Sequence, residues 1–581
     1  MSGLINRLKK EIKSPAVKRA LIYALVFGVM LGIALVAGHQ FKLSGMTAPG
    51  VKGKALIVLK GCLLSALFLP VTYMLFRLLD VCTAVRKNGQ DDASGKKSLS
   101  GLLKILKTGS HGKMKPAKAG LISWIIIWLC WLPAFLAYYP AIMSYDFHRQ
   151  FGEAVKGYVW FYEYQPLVHT FLIRMFWLLG LKLGNVAAGL AAFAILQSLV
   201  LSASMAAGIS YVYRRSGMAP AVIWTMFFAL LPFNPVLAIS MTKDIFFSAF
   251  FALLILIVIM MEEKKSILLY AAFIVTGILN ILFRNNAAYA LIFLVPAFLI
   301  GKKNLKDKLI NAGLAVIVVV AGLGCKTLIR ETMHAIPGNE IEKYSVPIMQ
   351  MVRVTAYQAD NLTPEQAEIL SRYIDESSWG DYYAPIADSA KSSVSAYRSA
   401  AWTEGGIRLI KDYLTIAKAY PNDYIDAFIG LTAGYWSFFD LSHAEMLDVG
   451  DDTGYGLLFT FNSSVNEMYP EGIPNASLLP SLRDKYAHII NGNSYYHWPV
   501  ISLLFKPATY FWMFVFVCLA ALYRKKSGSA AVLAYPLFYL MTMLLGPCVH
   551  FRYMYPYVVV MPVLISFVLQ ADPSKRSRSK Y

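Results

Sequence analysis

PLVHTFLIRMFWLLGLKLGNVAAGLAAFAILQSLVLSASMAAGISYVYRR, residues 166–215, is the stretch on which the topology of this chain turns. By hydropathy it holds two membrane spans, Pro166–Leu183 and Val186–Tyr213. Two crossings would set Arg214 and Arg215 outside and reverse every later loop. Yet Glu262–Lys265, Lys302–Lys308, Arg524–Lys526 and the tail Lys575–Lys580 all demand one side, together with Arg214-Arg215. That side is shared only if 166–183 does not cross. His169, Arg174 and Lys182 fit it instead as an interfacial or re-entrant helix. The external segment then extends from about 140 to 185.

Composition supports this membrane reading. A soluble domain carries about 25% charged residues. This chain of 581 residues has 15%, with 57% hydrophobic residues. Its mean hydropathy is +0.52. The net charge of +21 does not point to nucleic acid, because the cations sit in short loops between apolar helices and in the tails. The six cysteines lie in or beside apolar segments and none has zinc-site spacing. About 18 basic, amphipathic residues precede the first apolar run, which lacks the small-residue site of a cleavable signal.

The expected class is an α-helical integral membrane protein of about 12 transmembrane helices, with outer-face interfacial helices and one external, mostly α soluble domain. Spans are placed at about 20–38, 56–77, 120–139, 186–213, 218–238, 245–261, 267–283, 287–300, 308–327, 509–523, 529–547 and 554–570. Four regions follow. Residues 1–118 form an N-terminal hairpin and basic cytoplasmic loop, and 119–327 the transmembrane core. Residues 328–507 form the external domain, and 508–581 the last helices and basic tail. Within the domain, Thr363-Pro364-Glu365 reads as a helix start. Trp379, Tyr382, Tyr383, Trp436 and Trp498 suit stacking on sugars and equally suit a small core. Sequons at Asn361, Asn462 and Asn475 read as chance.

This topology gathers four polar turns on the outer face: Asp146–Gln150, Lys243-Asp244, Arg284–Asn286 and His550–Tyr553. Any one cation at a helix end serves for snorkelling or lipid headgroups. Four turns together, with two acids among the cations, suit transfer from a lipid phosphate. Arg and Lys hold the phosphate as leaving group, and a carboxylate takes the proton of the attacking hydroxyl.

From about residue 119 onward the chain resembles the polytopic type C glycosyltransferases, which use polyprenyl-phosphate sugars. The likeness lies in order and spacing. An acidic external loop, Ser144-Tyr145-Asp146, follows the first core helix, and an interfacial helix opens with Gln165-Pro166-Leu167-Val168-His169-Thr170. Thr242-Lys243-Asp244 forms a second acidic loop, and Arg552-Tyr553-Met554-Tyr555-Pro556 a late Arg-Tyr-x-x-Pro. The resemblance implies Asp146 as general base and Asp244 as the second-loop acid. Lys243, Arg284 and Arg552 would bind the donor phosphate, and Tyr553, His550 and Arg149 the substrate. His169 would contact sugar or phosphate, though packing within the interfacial helix accounts for it more readily. Asn285 suits a sugar hydrogen bond and a turn equally. The resemblance fixes no cofactor. A divalent cation stays open, although the first loop lacks paired acids before Glu153.

The implied partners are a polyprenyl-phosphate sugar, an envelope glycan or lipid acceptor, and membrane lipids, with no nucleic acid. The implied location is a bacterial cell membrane, multi-pass, with both termini cytoplasmic and the active site external. Two further readings stand beside this one: a transporter or flippase, and a non-catalytic envelope assembly protein. A transporter is expected to carry charges near the midplane on broken helices, and here they cluster at helix ends.

Overall fold

The computed structural model describes residues 14–46, 50–88, 114–143, 145–156, 161–300, 303–381, 383, 385–439, 469–470, 472–473, 476–490 and 498–570. Ser144, Tyr382, the sequons at Asn462 and Asn475 and the basic tail lie outside them. So do the N-terminal 13 residues and residues 89–113 of the basic loop.

Among the described residues the regular structure is helical, with two isolated β-bridges. Seven helices are long and apolar enough to cross a membrane: Pro15–Ser44, Lys52–Asp80 within Gly50–Asn88, Pro116–Ala137, Val186–Ser216, Lys243–Glu263, Leu305–Thr332 and Phe551–Leu569. Five shorter apolar helices, Met218–Leu230, Ile267–Phe283, Ala287–Ile300, Pro507–Tyr523 and Ser529–Leu544, occupy the remaining expected spans. The second helix runs to Asn88, beyond the expected end near 77 and into the segment read as loop. Arg77 and Asp80 pair at 3.4 Å one turn apart, so polar residues continue that helix rather than ending it.

Helices Lys243–Glu263 and Phe551–Leu569 are buried along most of their length. Between them and Ser529–Leu544 runs an aromatic column of Phe247, Phe251, Tyr535, Tyr539 and Tyr557, with ring centroids 4.9–6.4 Å apart. Two of its hydroxyls, and that of the neighbouring Tyr555, are satisfied internally, as a lipid-embedded core demands. Tyr535 donates to Asn280 Oδ1 at 2.9 Å, Tyr557 to the Pro536 carbonyl at 2.5 Å, and Tyr555 to Asn234 Oδ1 at 2.9 Å.

The helix ends sort by charge. At one end Arg214 pairs with Glu263 at 3.3 Å, Lys303 with Glu262 at 3.0 Å, and Lys265 with Asp307 at 2.7 Å. Arg524 donates to the Gln570 carbonyl there at 3.0 Å. Arg19 lies over the Tyr523 ring, whose hydroxyl reaches Asp80. The described parts of the basic loops assigned to one side are therefore spatial neighbours.

Helix Leu167–Lys182 stays at the opposite end. His169 and Phe176, two turns apart, both meet the edge of Phe193 at 5.5 and 5.6 Å. The short helix thus lies across the first turns of Val186–Ser216. Glycine permits the close turn: a Cβ on Gly189 would fall 2.7 Å from Gly180 Cα.

The first two helices form a hairpin that packs on Pro507–Tyr523 through Phe27 against Trp512 and Tyr23 against Tyr523. Its far end meets helix Pro421–Trp436, where Lys54 pairs with Asp426 at 3.5 Å. A brace between bundle and inserted domain accounts for it.

The domain has its own core, from Ile341 to Leu431 around Trp402, which donates to the Tyr373 carbonyl at 3.1 Å. Thr363 opens helix Pro364–Ser371 with a reciprocal capping box to Gln366. Tyr383 is buried and Trp379 packs against this core, so these two serve packing rather than an open sugar platform. The insert also docks on the bundle. Ala433, Tyr435, Trp436 and Trp498 pack with the bundle, and the Ala387 amide donates to the Pro547 carbonyl at 2.8 Å.

Candidate active site

Three helix starts converge at the end of the bundle opposite the basic loops. The chain leaving helix Pro116–Ala137 pairs Ile142 with the segment before Lys243. Ile142 N–H donates to the Ile239 carbonyl at 3.1 Å, and Met241 N–H to the Ile142 carbonyl at 2.9 Å. Gln197, from the middle of Val186–Ser216, clamps that segment by donating to the Ala238 and Ser240 carbonyls at 2.9 and 2.7 Å. The third start, Phe551, packs on Phe233 at 5.2 Å. Tyr145–Lys156, Lys243–Glu263 and Phe551–Leu569 therefore point their positive dipole ends at one place.

Asp146, Asp244 and Arg552 occupy the first turns of these helices, and Arg284 caps the C-terminus of Ile267–Phe283. Asp146 Oδ2 accepts from Lys243 Nζ and Arg552 Nη2, each at 3.0 Å. Asp244 pairs with Arg284, and its Oδ2 lies 3.5 Å from Arg552 Nε. Arg552 thus bridges the two acids. Tyr553 presents its ring to Arg284 at 4.5 Å and to Arg552 at 5.4 Å. Gln165 donates to Asp146 Oδ1 at 3.5 Å and accepts from Lys243.

Three cations face two carboxylates, all largely withdrawn from solvent, leaving one positive charge in excess. Burial pushes the Asp146 carboxyl upward, but Arg552 and Lys243 outweigh it and hold the group well below the usual carboxylate range. Burial opposes charge on Arg284 too, yet Tyr539 and Asp244 keep its guanidinium firmly protonated. Burial and the Arg552 charge push His550 down to about 3. Burial and Lys243 do the same to His169.

His169 is held by a short relay. Its Nδ1 lies 2.9 Å from Gln150 Oε1, and Gln150 Nε2 donates to Thr170 Oγ1 at 2.8 Å. His169 Nε2 is buried without a partner. His550 sets its ring edge-on to Tyr553 at 5.1 Å. Of the ten residues singled out by sequence, Asp146, Asp244, Lys243, Arg284, Arg552 and Tyr553 make one contact network, with His169 and His550 within reach of its charges.

Two others stand apart. Asn285 lines a small crevice with Glu163, Pro166 and Lys326, because adjacent residues of a turn face different ways. Arg149 lies over the Tyr164 ring at 4.7 Å, with Glu153 3.9 Å away. It lines a cleft of about 600 Å³ whose other wall belongs to the inserted domain: Asn339, Glu342, Asp388, Lys391, Ser395 and Ser399. Lys391 pairs with both Glu342 and Asp388, and Arg149 supplies the second positive charge of the lining, so this cleft is polar but charge-balanced.

Gln165 and Gln150 are members of the site that residue chemistry alone did not single out. Their signal was position: one precedes the interfacial helix, the other sits one turn after Asp146. Among the described residues no group of three His, Cys, Asp or Glu side chains gathers as a metal site. Both carboxylates are instead engaged by cations.

No curated protein and no solved structure matches this chain. A family model does match, over residues 160–581, a stretch that carries Lys243, Asp244, Arg284 and Arg552 but begins after Asp146. The chain belongs to that family, described as a family of unknown function, DUF6020.

Proposed function

We propose that this protein is a membrane glycosyltransferase that moves a sugar from a polyprenyl-phosphate donor to an envelope acceptor. The observation that carries the reading is the buried network of Lys243, Arg284 and Arg552 around Asp146 and Asp244, with its excess positive charge. Buried ion networks of this kind are weak stabilisers, since desolvation offsets their attraction. Three helix N-termini and an unbalanced cation make the site attractive to an anion.

In this reading the donor phosphate takes Lys243 and Arg552 away from Asp146. Losing both cations raises the proton affinity of the carboxylate, so donor binding itself prepares the base. The acceptor hydroxyl then gives its proton to Asp146, and its oxygen forms the new bond to the anomeric carbon. The bond from that carbon to the phosphate oxygen breaks, and its electron pair stays on the phosphate, held by the three cations. The acceptor approaches along the neutral polar cleft between Arg149 and the inserted domain. Its hydroxyls and amides suit a glycan better than a second phosphate. No step is assigned to a metal. The twelve apolar helices cross the membrane, the basic loops and both termini face the cytoplasm, and the site faces outward.

The test is Asp146→Asn in membranes supplied with polyprenyl-phosphate sugars and envelope acceptors. Asn keeps the shape and much of the hydrogen bonding while removing the base. Transfer is expected to fall by about 10²–10⁴-fold with normal accumulation of the protein. Undiminished transfer would contradict the assignment.

A further inference from the structure

We infer that His169 reads a hydroxyl group of the substrate through the lone pair on its Nε2. The inference rests on the transferase reading for its substrate and on local geometry for its chemistry. Gln150 gives its amide N–H to Thr170 and therefore offers only its oxygen to His169 Nδ1. That arrangement puts the imidazole proton on Nδ1 and leaves Nε2 an acceptor.

Nε2 has no partner among the described residues although His169 is fully buried. An unmet buried acceptor is costly, commonly about 1–3 kcal/mol, so a site that keeps one is built for a donor that arrives with a ligand. Gln150, which holds the ring, sits one turn after Asp146, and Gln165, four residues before His169, contacts both Asp146 and Lys243. The imidazole therefore stands beside the charged network. A lone pair repels phosphate oxygens and accepts from O–H. His169 is thus a specificity residue for a hydroxyl-bearing group, either sugar or acceptor, and not a fourth phosphate ligand. Gln150 is the positioning residue.

Two measurements on the full-length protein in lipid nanodiscs test this. The first compares His169→Phe, which fills the space without an acceptor, with His169→Gln, which restores an acceptor oxygen. Binding of undecaprenyl monophosphate should match wild type in both. Transfer should fall about 10–100-fold in His169→Phe and recover at least in part in His169→Gln. Unchanged transfer in His169→Phe, equal loss in both variants, or lost phosphate binding would each overturn the inference. The second records the imidazole ¹⁵N signals of histidine-labelled protein at neutral pH, using His169→Phe for assignment. An unprotonated Nε2 is expected, and a protonated one overturns the inference. That spectrum needs no turnover, so it separates failure of this inference from failure of the transferase reading.

Discussion

The two ends of the helical bundle use the same charged residue types for different ends. At the basic end the paired cations keep more contact with solvent. Lys265, paired with Asp307, remains 65% exposed. Such pairs contribute about 0–1 kcal/mol. At the other end Asp146 is 13% exposed and Asp244 2%, and Arg552 touches both. Desolvating five charges to build a network that barely repays its cost makes little sense for folding. Charge-pair counts therefore say little, whereas the burial of the cations separates the structural end from the chemical one.

The comparison can be broken most forcefully at Arg552. Arg552→Leu leaves Asp146 without one of its two cations and Asp244 with only Arg284. Removing one member of a buried network costs about 3–5 kcal/mol, and transfer should be lost. Lys265→Met at the basic end should shift stability by less than about 1 kcal/mol. Melting both variants in the same detergent measures the contrast. Equal shifts would dissolve the distinction between the ends.

A smaller effect sharpens the comparison through pH. His169 and His550 are pushed down to about 3 in the folded chain, against an ordinary value of 6.5. Between those limits the unfolded chain binds protons that the folded chain refuses. Stability should therefore fall as pH drops from 6.5 toward 4, by up to about 1.4 kcal/mol per pH unit for each histidine. Asp146 acts in the same direction lower down: its depressed carboxyl contributes stability above about 4 that is lost on further acidification. Thermal melts from pH 7 to 4.5 should slope downward, and the slope should shrink in His169→Phe. A flat profile would contradict the buried neutral imidazoles.

Much of this architecture was legible because membranes impose strong rules. Hydropathy located the apolar helices, and the short helix within 166–183 packs across the first turns of the next one. The parity of the basic loops brought Asp146, Lys243, Arg284 and Arg552 to one end, where contacts now join them. What parity cannot see is direction within a turn. Arg284 turns inward to Asp244 while the next residue, Asn285, faces a separate crevice. Arg149 shares a helix with Asp146 yet points to the cleft. Gln165 and Gln150 were hidden for another reason. Uncharged amides carry no charge signal, and their roles arise only from what they touch.

The most direct measurement is a structure of the full-length protein with undecaprenyl monophosphate in nanodiscs. The account predicts phosphate density among Lys243, Arg284 and Arg552, with the Lys243 and Arg552 contacts to Asp146 opened. Phosphate bound elsewhere, with those contacts intact, would contradict it.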